Sequence, residues 1–140
     1  MANLKAAPSS EIIKAFDDFK MKSLHSYIIL KLGSGDVQID TLGKPGETFQ
    51  NFVEHMPEKE PRYALFDLEV KFPDGHSQKK IIFFHYCPDE CPIKTKMAFA
   101  ACKESVKSVF KGIEKEFQIT AKKDLIHDKF VDSFLGGKVF

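Results

Sequence analysis

Between His85 and Gly112 the chain reads HYCPDECPIKTKMAFAACKESVKSVFKG, and this run holds the side chains best able to do chemistry. His85, Cys87 and Cys91 have the residue types of a metal site or of an activated thiol. No second Cys/His pair stands at a ligand spacing, so a structural role is the expectation here, and Cys102 is expected as an inert buried thiol. Lys94 and Lys96 fall in the first turn of a predicted long helix. A helix N-terminus carries partial positive charge and disfavours a cation by a few tenths to about 1 kcal/mol each. Something other than helix stability must account for them. No G-x-S-x-G, H-E-x-x-H, P-loop or dinucleotide glycine pattern occurs, and GSG at Gly33 to Gly35 is explained by a hairpin turn. No catalysis, no metal and no cofactor are therefore expected.

The elements that position this run follow from periodicity. After a loose, flexible stretch over residues 1–8, Ser9 or Ser10 can cap a helix on which Ile12, Ile13, Phe16 and Phe19 keep helical spacing, ending near Met21 to Leu24. Tyr27 to Leu32 and the alternating Val37, Ile39 and Thr41 read as a hairpin around GSGD. Thr48 can cap a short helix carrying Phe49, Phe52 and Val53 that stops before Pro57. Arg62 to Phe72 alternates as a strand, and PDG at Pro73 to Gly75 turns it into Lys79 to Tyr86. There Ile81 to Phe84 run apolar without a break, as in an interior strand covered on both faces. The long helix follows, then a strand at about Glu114 to Thr120 and a last helix at about Asp124 to Leu135, stopped by Gly136 and Gly137. The predicted class is α/β of the α+β type, a central mixed five-stranded sheet flanked by helices on both faces.

Composition narrows the function. At 140 residues the chain fits one domain, residues 1–140, and it carries 21 Lys and Arg against 20 Asp and Glu. That balance gives no global basicity of the kind that draws nucleic acid. The apolar runs are strand-sized, so no transmembrane segment is expected. Three cysteines and no apolar leader point to free thiols in the cytoplasm.

On the long helix, Ala98, Phe99, Cys102, Val106, Val109 and Phe110 gather on the expected core face. The opposite side carries Ile93, Met97, Ala100, Glu104, Lys107 and Lys111, bordered by Lys94, Lys96 and Lys103. An apolar centre inside a charged rim is the pattern of a protein-binding helix. The alternative is that Ile93 and Met97 tuck under a neighbouring loop.

The same run resembles the signature of the actin-depolymerising factor and cofilin family, approximately W-S-P-D-x-A-P-[VI]-[KR]-x-K-M-x-[YF]-A-S-S-K-x-x-[LV]. Pro88, Asp89, Pro92, Ile93, Lys94, Lys96, Met97, Phe99, Ala100 and Lys103 match in register. IIKAFDDFKMK at Ile12 to Lys22 and EPRYALFDLEV at Glu60 to Val70 extend the likeness over nearly the whole chain. The resemblance implies an actin-depolymerising-factor homology fold and a cytoplasmic, monomeric regulator of the actin cytoskeleton. It implies that Ile93, Lys94, Lys96, Met97, Ala100 and Lys103 contact actin monomers. It also implies a secondary phosphoinositide site on Lys94, Lys96, Lys103 and Lys107, since clustered lysines attract anionic lipid at roughly 1 kcal/mol per charge.

Three departures qualify those expectations. The phosphorylatable serine of the family is absent from Met1 to Ala6, and Ser9 and Ser10 are better read as helix caps. The family's two basic filament-contact residues fall here on Gln78 and Lys80, with Lys79 on the other strand face. The last-helix filament positions fall on Asp132, Ser133 and Gly136, of which only the acid matches, with Lys138 a candidate stand-in. The expectation is retained monomer binding and filament disassembly with weakened filament binding and severing. The alternative is a module resembling glia maturation factor that binds actin-related proteins of the branching complex.

Overall fold

A computed structural model of the chain describes residues 10–22, 24–33, 37–108 and 110–135. Residues 1–8, Ser9, most of the GSGD turn, Val109, Gly136, Gly137 and Lys138 lie outside these. The elements are α1 (Ser10–Met21), β1 (Tyr27–Leu32), β2 (Val37–Leu42), α2 (Phe49–Glu54), β3 (Arg62–Lys71), β4 (Ser77–Tyr86), α3 (Ile93–Lys107), β5 (Lys115–Ile119) and α4 (His127–Asp132). A single 3-10 turn, Lys122–Asp124, precedes α4.

The strands form one mixed sheet in the order β2-β1-β3-β4-β5. All neighbours are antiparallel except β4 and β5, which run parallel because α3 crosses between them. Strand alternation sorts the core into two layers. Tyr63, Leu65 and Phe83 pack with Ile12, Phe16 and Phe19 of α1 and with Phe99, Cys102 and Val106 of α3. Phe66, Leu68, Ile82 and Phe84 pack on the other face with Phe49 and Phe52 of α2 and Phe130 of α4. The predicted mixed five-stranded sheet with helices on both faces is what the molecule has.

Local signals act as their chemistry requires. Thr48 caps α2 in a capping box, its Oγ1 accepting from Asn51 N at 3.2 Å while Thr48 N donates to Asn51 Oδ1 at 2.9 Å. Gly75, at φ +99°, makes the β3–β4 turn, and its N–H donates to Phe72 O at 2.9 Å. The last helix corrects the sequence reading, since α4 covers only His127–Asp132 instead of Asp124 to Leu135. Leu125 is buried and leaves helical geometry at ψ 82°, so the chain makes a 3-10 turn, drops that side chain into the core, and only then starts α4.

His85 is buried on the α3 side of the sheet. Its ring lies under α3, 4.6 Å from Phe99 and 6.2 Å from Tyr63 between centroids, and both ring nitrogens are buried without a hydrogen-bond partner among the described residues. Burial lowers its pKa, the Lys103 ammonium on α3 lowers it further, and the Glu116 carboxylate on β5 acts the other way. With the folded value below the ordinary 6.5, the unfolded chain binds the proton better. The contribution is therefore whole above about pH 6.5 and is lost as pH falls below it. His85→Phe is expected to raise stability at pH 7.5 by about 1 kcal/mol, by removing the unsatisfied nitrogens, and to flatten the decline from pH 7.5 to 5.5 in urea unfolding. An unchanged pH slope in the variant would place the titration elsewhere.

Candidate functional site

The head of α3 is held out from the sheet by a short anchored turn. Past the end of β4, Cys87 N donates to Ile119 O at 2.8 Å and Asp89 N to Thr120 O at 3.1 Å, which ties the segment to the end of β5. Cys91 N then closes a turn on Pro88 O at 3.0 Å. Pro92 is the N-cap, with no side-chain cap and no acidic residue in the first turn. Lys96 N makes the first helical bond, to Pro92 O at 3.0 Å.

From its inner side α3 is fixed by Phe99, which stacks on Tyr63 with ring centroids 4.0 Å apart and planes at 19°. The Tyr63 hydroxyl donates to the Phe99 carbonyl, and burial raises the Tyr63 pKa well above its ordinary value. Phe99, Cys102, Val106 and Phe110 are buried as expected, while Ala98 is only half-buried.

The outer side is open. Ile93 is 74% exposed and Met97 68%, so neither tucks under a loop, and Ala100 and Ala101 are exposed one turn further along. Lys94 is exposed and Lys96 half-buried, and neither makes an ion pair among the described residues. This is an apolar strip next to two unneutralised ammonium groups on an uncapped helix N-terminus. Such an arrangement fits a macromolecular surface that offers an apolar cleft with carboxylates at its edge.

Lys103 and Lys107, grouped with these by sequence, are engaged differently. Both ammonium groups grip Glu116 on β5, Lys103 at Oε2 and Lys107 at Oε1, the latter at 2.6 Å. Hydrogen bonds from Lys103 and then Lys107 lower the Glu116 pKa, and the bond to Glu116 raises that of Lys107. Much of their charge is thereby spent inside the molecule.

The second set of sequence candidates gathers at the far end of β4, on the opposite face of the sheet. Gln78 and Lys80 share the α4 face, and Lys79 on the other face pairs with Asp67 at 3.7 Å. Gln78 is exposed, and its side-chain nitrogen meets His76 Nε2 at 3.2 Å. Asp132 is exposed on α4. Sequence reasoning missed Lys115. Because β5 runs parallel to β4 with Lys115 opposite Ile82, the Lys115 and Lys80 ammonium groups both lie over the Phe134 ring, at 5.1 and 5.9 Å. Lys115 also donates to Ser133 O at 2.6 Å. The signal that could have found it is a lysine at the start of the strand after α3, read with a parallel register.

Among the described residues no three His, Cys, Asp or Glu side chains form a metal-holding group, and no helix is long and apolar enough to cross a membrane.

Comparison with known proteins bears on the fold and the family. The chain is 33% identical to actophorin from Entamoeba histolytica, over 94% of each, and 33% identical to actophorin from Acanthamoeba castellanii, over 87% of this chain and 89% of that protein. The crystal structure of Streptomyces griseoflavus cofilin superposes with a TM-score of 0.81 at 26% identity, covering 89% of this chain and 94% of that one. Residues 5–134 match the family model described as cofilin/tropomyosin-type actin-binding protein. On these matches the chain belongs to the cofilin and actin-depolymerising factor family, whose members are actin-binding regulators and not enzymes.

Proposed function

We propose that the chain binds actin monomers through the outer side of α3 and speeds filament disassembly by drawing the polymer toward monomer by mass action. The observation that carries this reading is the head of α3: Ile93 and Met97 exposed, flanked by Lys94 and Lys96 without ion-pair partners among the described residues. Ala100 extends the apolar strip, and Lys103 supports it from the rim while bound to Glu116. Filament-side contact is weaker than monomer contact, because Gln78 offers no charge and leaves Lys80, Lys115 and Asp132 to hold it.

Titration of fluorescently labelled actin monomers tests the main claim, and co-sedimentation with filaments tests the second. The expected outcome is saturable one-to-one monomer binding with sub-stoichiometric filament decoration. Lys115→Gln should lower the filament-bound fraction about fivefold, the share of one charged contact, and leave monomer binding unchanged. Stoichiometric decoration of filaments would refute the weakened filament side. Binding to actin-related proteins with none to actin monomers would refute the main reading in favour of a glia maturation factor-like module.

A further inference from the structure

We propose that Cys87 and Cys91 are a modification site, a dithiol that hydroperoxides close into an intramolecular disulfide at the head of α3. The family signature carries Ser and Ala at these two positions, so neither thiol is required by the fold. The turn brings the two together. Cys87 is anchored by its N–H to Ile119 O at 2.8 Å and Cys91 folds back through its bond to Pro88 O at 3.0 Å, so a tight turn sets the two cysteines on either side of Pro88, Asp89 and Glu90, where each thiol acts on the ionisation of the other. Cys91 is buried and its Sγ lies 3.5 Å from Lys59 O, whereas Cys87 is half-buried and accessible to a small oxidant. The Lys96 ammonium lies close enough to favour the thiolate of each. Cys102, the other cysteine, is buried under α3 on the core face.

The chemistry balances in two steps. The Cys87 thiolate attacks hydrogen peroxide, breaks the O–O bond and becomes a sulfenic acid, with hydroxide leaving as water after protonation. The Cys91 thiol then attacks that sulfur, the S–S bond forms and a second water leaves. Peroxide is reduced by two electrons and the dithiol is oxidised by two. A thiol reductant reverses the change. Burial and the neighbouring Cys91 push the Cys87 thiol up to about 11, so thiolate is scarce at neutral pH and closure is slow.

Closing the bond pulls the residue before Pro92 toward the end of β4 and so shifts the first turn of α3, where Ile93, Lys94 and Lys96 stand. This consequence rests on the proposed function, but formation of the bond does not. Folded protein is treated with hydrogen peroxide and read by intact mass, free-thiol count after denaturation, and peptide mapping. The expected result is a loss of about 2 Da, reversed by dithiothreitol, with a Cys87–Cys91 linked peptide and a rate rising about tenfold per pH unit between about pH 7 and 9. Of the three free thiols, Cys102 alone should remain. Cys87→Ser and Cys91→Ala should each abolish the mass loss with unchanged circular dichroism. Unchanged mass, oxygen adducts without a linked peptide, or a bond involving Cys102 would overturn the site. Monomer affinity should then fall about tenfold on oxidation of the parent chain but not of Cys91→Ala, since truncation at interface hot spots costs at least that much. Equal affinity of the oxidised and reduced forms would overturn the coupling. A reduced protein that never binds actin would instead refute the proposed function while leaving the mass result intact.

Discussion

Replacing Lys94 and Lys96 together by alanine is expected to weaken actin-monomer binding by about 3 kcal/mol, roughly 150-fold, without any loss of folding stability. The two halves of this expectation come from different physics. In the free protein both ammonium groups stand against the helix dipole, on an N-terminus with no side-chain cap and no acid in its first turn. Removing them relieves that repulsion, so stability should stay level or rise by a few tenths of a kcal/mol. In a complex, each truncation strips a partner carboxylate of its counter-charge, which commonly costs 2–5 kcal/mol where the pair is desolvated and less at a wet rim. Fluorescence titration of monomers and urea unfolding of the same two proteins give both numbers. Equal monomer affinity of parent and variant would remove the head of α3 from the binding surface.

Phe99→Ala is expected to show the opposite pattern, a loss of about 3–5 kcal/mol of stability with no contact residue touched. Phe99 is fully buried, stacks on Tyr63, and lies 4.6 Å from the His85 ring. Truncation opens a cavity lined by aromatic faces that cannot collapse, because Tyr63 and His85 are fixed by their neighbouring strands. The melting temperature should fall on the order of 10 °C, with monomer binding reduced only as far as α3 loosens. A cost below about 1 kcal/mol would mean that α3 is docked chiefly through Cys102, Val106 and Phe110.

The parts of the molecule legible in its sequence are those written in local periodicity. Alternation in β3, the unbroken apolar run of β4, the Thr48 cap and the buried stripe of α3 each need only neighbours within a few residues. What was not legible depends on pairing between distant segments. Lys103 and Lys107 look like free cations along α3, and only the arrival of Glu116 on β5 engages them. Lys115 gains its place beside Lys80 through the same parallel register. The length of α4 was misread because its helical pattern extends over Leu125, whereas core burial of that one side chain outweighs the helical bonds it gives up. His85 is structural, as a lone His/Cys group beside a strand end suggests, and its ring is buried under α3 against Phe99 and Tyr63.

Strand β4 has a further consequence. Gln78 stands near one end and Tyr86 at the other, and eight steps of about 3.3 Å separate them by about 26 Å. Substitutions so far apart, one near Gln78 and one on the helix beyond Tyr86, with no shared partner among the described residues, have additive effects. Each end of the strand is thus open to selection by itself. A lineage can wear away the charges near Gln78, or rebuild them from β5, while the helix beyond Tyr86 keeps its residues. Divergence confined to one end is the inheritance pattern that such a rigid spacer permits.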